Sequence, residues 1–240
     1  MENLANKKVL VLGGSTGLGL ATAKAAAAEG AIVTIVSKNL KRLEEAVQQL
    51  PPSATYFSVD LSDEKSIHSF FETFGNFDHL IYTAGENLSL AVIKDMDLAD
   101  SRKYFDIRYW GAVAAVKYGA PHINAGGSVT LTSGIASVKP TISWSIGSSI
   151  CAAMEGFTRV MALELAPVRV NLVRPGLVRS NLWDSMDQIE RAQLFDNFAQ
   201  ALPVKYVAYP DDIAQTYLYL LKQPYSTGQV VTVDGGALMI

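Results

Sequence analysis

The sequence predicts an α/β fold: a single, doubly wound domain with a seven-stranded, mostly parallel sheet and helices on both faces. Three observations carry that reading. Short apolar runs alternate with longer stretches of helical spacing along the chain. Most of the runs lack the polar alternation of a half-exposed strand, as suits a parallel sheet covered on both sides. A glycine cluster occupies the first strand-to-helix turn. No linker, low-complexity tract or charge block divides the 240 residues, so 1–240 are expected to form one domain.

The first strand is expected at 9–12, followed by a helix over 18–29 rich in alanine. The alternation continues with strands at 32–36, 55–59, 79–82 and 128–131, followed by helices at 40–50, 64–74, 97–120 and 145–165. A sixth strand is expected at 168–173, and a last helix and strand at 211–221 and 230–233. The stretch 179–203 is the least regular, with Trp183 and Met186 among polar residues. It follows the sixth strand, where an insertion at the strands' C-terminal ends is placed to cover a substrate.

Composition narrows the function. Apolar residues at 49% and charged ones at 18% describe a well-buried globular chain. A net charge of -3 offers no basic surface for nucleic acid. No apolar run approaches the roughly 18 residues of a membrane span. Residues 1–8 meet the first strand at once, leaving no room for a signal peptide. The single cysteine, Cys151, excludes an internal disulfide and fits a reducing compartment. His68, His79 and His122 are scattered, so no metal site is expected. These features describe a cytoplasmic enzyme.

After the first strand comes Gly13-Gly14-Ser15-Thr16-Gly17-Leu18-Gly19. Glycines at such a turn let the backbone approach a pyrophosphate, which the helix N-terminus stabilises. The alternative is a close-packed turn, and the position at the head of a helix favours the binding site. An NAD site would place an acid near the end of the second strand. Here the chain reads Ser37-Lys38-Asn39, in which a hydroxyl and a cation suit a 2′-phosphate, so NADP(H) is the expected cofactor. The alternative is a solvated lysine opening the next helix.

These and further residues resemble the short-chain dehydrogenase/reductase family, with its Rossmann fold, over nearly the whole chain. The matches are Gly13-x-x-x-Gly17-x-Gly19, Asp60-Leu61, Ala84-Gly85, Gly127-Ser128 opening the fifth strand, Arg169-Val170-Asn171, Pro175-Gly176 and Thr227-Gly228-Gln229 to Asp234-Gly235-Gly236. The resemblance implies that Asp60 binds the adenine edge and that Pro175-Gly176-Leu177-Val178 holds the nicotinamide amide. It puts Ser180 where a threonine usually caps that loop against the cofactor, and it points to a homotetramer.

The family's Asn, Ser, Tyr and Lys tetrad is mostly missing. Alignment on Trp110-Gly111 puts Arg108 at the asparagine, and Ser133 matches the serine. Alignment on Glu155-Gly156-Phe157-Thr158 puts Gly147 at the tyrosine and Cys151 at the lysine. Lys139, the only lysine nearby, lies in a loop beside Pro140. General acid assistance contributes about 10²–10⁴ in rate, so an ordinary ketone reductase is a poor fit. Arg108 restores a positive charge, either against ribose and substrate oxygens or as a surface ion pair. Glu86 and Asn87 are candidate partners for it. Cys151, at mid-helix, reads as a small buried hydrophobe. Some reductases of natural-product pathways, including reductase/Diels–Alderases, are similar in lacking Tyr-x-x-x-Lys.

Three functions follow. The first is an NADP(H)-dependent oxidoreductase acting on an imine, iminium or conjugated carbonyl, with Arg108 and Ser133 as catalytic residues. The second is a non-redox cyclase using NADP structurally, and the third an inactive NADP-binding sensor or scaffold.

Overall fold

The computed structural model describes residues 3–87 and 90–240. Met1 and Glu2, which begin the N-terminal segment read above, lie outside the described residues. Strands β1 (Lys8–Leu12), β2 (Ile32–Ser37), β3 (Thr55–Ser58), β4 (Phe77–Tyr82), β5 (Ile123–Thr132), β6 (Arg169–Pro175) and β7 (Val230–Val233) form one sheet. Their order is β3-β2-β1-β4-β5-β6-β7, and every pairing is parallel rather than most of them. The winding reverses between β1 and β4, which opens a crevice at their C-terminal ends.

Alternation of side chains along β1 divides the core in two. Leu10 and Leu12 face a layer containing Phe71, Tyr82, Val116 and Met154. Val9 and Val11 face the opposite layer, with Ala23, Leu43 and Tyr217. The first layer is covered by α3 (Glu64–Phe74), α5 (Gly111–Gly119) and α6 (Ser145–Glu164), the second by α1 (Gly17–Ala28), α2 (Leu40–Val47) and α8 (Pro210–Lys222).

Sequence and structure part in several places. The helix expected over 97–120 is α4 (Leu98–Phe105), a π-helical segment at Asp106–Trp110, and then α5. A π segment inserts a residue into the ladder and leaves no trace in hydrophobic spacing. The helix expected to reach residue 50 stops at Val47. β5 starts at Ile123, before Gly127-Ser128, and its pairing with β4 slips between Phe77 and His79. β3 is an exposed edge strand rather than a buried one. The irregular stretch 179–203 holds a 14-residue helix, α7 (Gln188–Ala201). Its N-cap Asp187 accepts from the Ile189 N–H at 2.8 Å. Weak amphipathicity hid α7, which packs through Phe195 onto Trp183, Leu202 and Val207 in a third, smaller core.

The segment Arg169-Val170-Asn171 is a set of ties. Arg169 donates to the carbonyls of Leu220 and Leu221 at 2.8 and 2.9 Å, fastening the end of α8. Asn171 donates to Ser226 O at 2.7 Å and accepts from Gln229 N at 3.1 Å, fixing the turn before β7. Among the described residues, no helix is long and apolar enough to cross a membrane, and no group of three His, Cys, Asp or Glu is placed to hold a metal.

Candidate active site

The crevice between β1 and β4 is floored by the glycine loop. The Gly13 and Gly14 N–H groups donate to the Val36 carbonyl at 2.8 and 3.2 Å, tying the loop to β2. Gly13 has φ +90°, and a Cβ there would lie 2.5 Å from Ala84 N, so the turns after β1 and β4 touch. Gly17 differs: at φ +52° its imaginary Cβ meets only Ser180, at 3.8 Å. Open space therefore lies over Gly17, with Ser180 across it. Thr16 makes no side-chain cap, and α1 carries no acid in its first turn. Backbone N–H groups at this helix start are left for an anion. Ser15 and Gly19 are buried in the loop, and Leu18 packs against the core behind it.

At the rim, Ser37 closes β2 and pairs in register with Ser58. Lys38 Nζ lies 2.6 Å from Asp60 Oδ2. Asp60 also accepts from Ser62 N and Oγ, at 3.0 and 2.6 Å. Burial pushes the Asp60 carboxyl up, but its bonds to Lys38 and Ser62 outweigh that and hold it below the usual carboxylate range. Lys38, read as a free cation for a 2′-phosphate, is thus already paired. Asn39 Oδ1 accepts from Arg42 N at 3.0 Å, so that oxygen caps α2. Leu61 is buried beneath Asp60's strand end.

Arg108 sits in the π-helical segment, held from behind by β4: the buried Tyr82 hydroxyl donates to the Ile107 carbonyl. Its guanidinium lies against Gly85, where a Cβ would come within 2.6 Å of Cζ. A side chain at this position would push the guanidinium aside. Arg108 Nη2 donates to the main-chain oxygen of Glu86, so the expected partner contributes its backbone and not its carboxylate. Nε is sealed from solvent without an acceptor among the described residues. Burial pulls the guanidinium below its usual pKa, partly offset by Cys151 and Tyr82.

Ser133 directly follows β5, with its N–H on Val173 O at 2.9 Å and its hydroxyl donating to Cys151 O at 3.1 Å. Burial raises the Cys151 thiol above its normal range, against the opposing influence of Ser133 and Arg108. A thiol so placed stays protonated. Gly147 is buried in α6. Lys139 donates to the main-chain oxygen of Ile240 at 2.7 Å, and also to that of Ala237; it serves the C-terminal segment. Across the crevice, Pro175 is buried, Gly176 N donates to Val233 O at 2.9 Å, and Val178 O accepts from Trp183 Nε1 at 3.0 Å.

The structure therefore brings Arg108, Ser133 and Cys151 together, and sets Gly17 opposite Ser180. Two residues escaped sequence reasoning. Tyr82 looked like one more apolar strand residue, without any signal of its role. Glu155, one turn beyond Cys151, is buried and accepts from Arg174 Nη1 at 3.1 Å, Arg159 Nη2 at 3.4 Å and Ser137 Oγ. Its one signal was a carboxylate ending an uncharged run of helix.

Comparison with known proteins decides the family. A family model described as enoyl-(acyl carrier protein) reductase matches residues 13–237. A short-chain dehydrogenase/reductase of Stachybotrys chlorohalonatus is 30% identical, covering 100% of both chains. This chain belongs to the short-chain dehydrogenase/reductase family. It is also similar to carbonyl reductase family member 4 of Danio rerio, 28% identical over 98% of this chain and 99% of that protein. Among solved structures, a small-chain dehydrogenase in complex with NADPH is 38% identical, with a TM-score of 0.87 over 98% of this chain and 100% of that one. The MalC reductase/Diels-Alderase of Malbranchea aurantiaca is 27% identical, with a TM-score of 0.89 over 99% and 98%.

Proposed function

We propose that this chain is an NADP(H)-dependent oxidoreductase with a non-standard active site, acting on an imine, iminium or conjugated carbonyl compound. The observation that carries it is the meeting of Arg108, Ser133 and Cys151 where a proton donor would act. The cofactor fits the crevice: open space over Gly17, free N–H groups at the start of α1 and the Ser180 hydroxyl opposite suit a diphosphate. Ser15, Thr16, Leu18 and Gly19 would flank it, with Ser37, Lys38, Asn39, Asp60 and Leu61 at the adenosine end. Ala84, Gly85, Pro175, Gly176 and Val178 would line the nicotinamide end. When bound, NADPH supplies the hydride.

The protein's own groups then set what can be reduced. Arg108 is held charged next to Gly85, so it stabilises negative charge without surrendering a proton. Ser133 has a hydroxyl to orient a substrate atom, and Cys151, largely buried at mid-helix, is read as a packing group rather than as the proton donor. A substrate whose nitrogen is already positive needs no acid at that moment. A conjugated carbonyl needs little, since its enolate can rest against Arg108 and take a proton from water. A simple ketone would leave an alkoxide without a donor.

Residues 179–203 act as the substrate cover. Supporting this, a cavity of about 240 Å³ lies between the insertion and the loops before it, with apolar walls from Leu90, Trp144, Leu182, Trp183 and Met186 and polar groups from Ser185 and Glu190. Such walls favour a bulky apolar substrate. The similarity to natural-product enzymes points to biosynthesis in the same sense. The test is loss of nicotinamide absorbance with NADPH and a panel of imines, enones and ketones. The expected order is imine or iminium above enone above ketone. Fastest turnover of simple ketones would defeat the mechanism, and no absorbance loss with any class would favour a non-redox or binding role.

A further inference from the structure

Behind Ser133, Cys151 and Pro175 lies a charged cluster that the reduction chemistry leaves unused. Glu155, in α6, is the one acid in the buried interior among the described residues. Its side chain is 8% exposed and that of Arg174 15%. Oε1 accepts from Arg174 Nη1 at 3.1 Å and from the Ser137 hydroxyl, and Oε2 accepts from Arg159 Nη2 at 3.4 Å. Arg174 is anchored on its other side as well, where Nε donates to Thr232 Oγ1 of β7 at 3.0 Å. Arg159 is more than half exposed and closes the cluster toward solvent.

Each inner partner belongs to a segment on which the site depends. Ser137 ends the short 3-10 turn Ile135–Ser137 that follows Ser133 and Gly134, and its hydroxyl also lies 3.1 Å from the Gly134 carbonyl oxygen. Arg174 directly precedes Pro175-Gly176, the segment proposed above for the nicotinamide end. Helix α6 carries Cys151 one turn before Glu155. The three segments converge at Gly134, where a Cβ would lie 3.4 Å from Cys151 Sγ and 4.0 Å from Pro175 O. A single carboxylate thus ties together the pieces that meet there.

Cohesion alone does not require this arrangement. Buried ions lose their hydration, and well-packed apolar side chains commonly hold such segments as firmly. The carboxylate adds direction, because charge-assisted hydrogen bonds fix distance and angle together. We infer that Glu155 is a positioning residue: through Ser137 and Arg174 it sets the Ser133-Gly134 segment against Pro175-Gly176, and so shapes the seat of the nicotinamide. This role rests on the cofactor reading above and adds no step to the reduction.

The test compares two ligands on the whole chain. One is NADPH, followed by the fluorescence of its dihydronicotinamide ring; the other is adenosine 2′,5′-bisphosphate, which lacks that ring, followed by calorimetry. Glu155→Ala should weaken NADPH severalfold and reduce the emission of the bound ring, while leaving the affinity for the bisphosphate unchanged. Glu155→Gln, which keeps the hydrogen bonds, should recover most of both. Should Glu155→Ala not fold, Ser137→Ala, which cuts the arm to the Gly134 segment and keeps the ion pair, should give the same split in smaller measure. Equal weakening of both ligands would mean a merely structural role and overturn the inference, as would NADPH affinity and emission unchanged in the alanine variants. Either result leaves the cofactor reading standing. Failure of the unaltered chain to bind NADPH would remove that reading, and the inference with it.

Discussion

Lys38 Nζ and Asp60 Oδ2 stand 2.6 Å apart at the rim of the crevice, so the base suited to a 2′-phosphate and the acid suited to adenine hold each other. A phosphate arriving there competes with a carboxylate for the same ammonium. The pair is exposed on the lysine side, which keeps the competition open to solvent and salt.

Cofactor preference should therefore respond to both residues. NADPH is expected to bind more tightly than NADH. Lys38→Asp should abolish or reverse that preference. Asp60→Asn should widen it, by about tenfold, because the freed Lys38 makes an undivided charge-assisted bond. Calorimetry with both cofactors decides; equal dissociation constants in the unaltered protein, or a narrower gap in Asp60→Asn, would count against this reading.

Arg108→Ala should lower turnover or cofactor affinity far more than Cys151→Ala, since Arg108 contributes charge and Cys151 only volume. Arg108→Lys should recover little, because the fork that spans Gly85 and the Glu86 carbonyl is planar. Steady-state kinetics on the best substrate of the panel would show it, and a silent Arg108→Ala would require another charge stabiliser.

Glu155 neutralises Arg174 inside the protein, with both side chains largely buried. Removing one partner leaves the other charge uncompensated, which typically costs about 3–5 kcal/mol. Glu155→Ala should lower the denaturation midpoint markedly, while Glu155→Gln, which keeps its hydrogen bonds to Ser137 and Arg174, should cost less. Urea unfolding of both variants measures the difference.

His79 is buried on β4, with Nδ1 2.9 Å from Ser128 Oγ and Nε2 unpartnered among the described residues. Burial and the nearby Arg169 lower its pKa from 6.5 to about 4. The unfolded chain thus binds a proton that the folded chain refuses between those values. Stability is full above pH 6.5 and falls as pH drops toward 4, by on the order of 3 kcal/mol from this group. His79→Gln should flatten that part of the curve in thermal denaturation; an unchanged slope would mean other groups cause it.

Self-association is the remaining expectation, as a homotetramer. The apolar faces of α5 and α6 are mainly core: Val116 and Met154 are buried, and Tyr118, Phe157 and Met161 pack against the same cluster. Exposed apolar residues that a partner could cover include Leu163 at 80% and, in the C-terminal segment, Met239 at 81%. Light scattering should give a mass above the monomer, reduced by Leu163→Glu or Met239→Glu. A monomeric mass for the unaltered protein would contradict the expectation.

Repetition determined what the sequence could say. Apolar runs such as Ile32–Ser37 and Arg169–Pro175 recur between helical stretches, and glycines stand at the first turn, because each is a local demand of backbone and burial. The absence of tyrosine or lysine at 147 and 151 was equally plain, since it needs no geometry. Partnership was not. Whether Lys38 meets solvent, phosphate or Asp60 depends on two strand ends brought together by the sheet. Whether Arg108 is a surface ion pair or a charge against Gly85 depends on a π-helical segment braced by Tyr82, and a helix with one extra residue has no periodic signature. Arg179 likewise came to stack on two rings only when α7 brought Phe195 and the start of α8 brought Tyr209 against it. Local propensities act over a few residues, while these contacts join segments far apart in the chain and exist only once the sheet has closed.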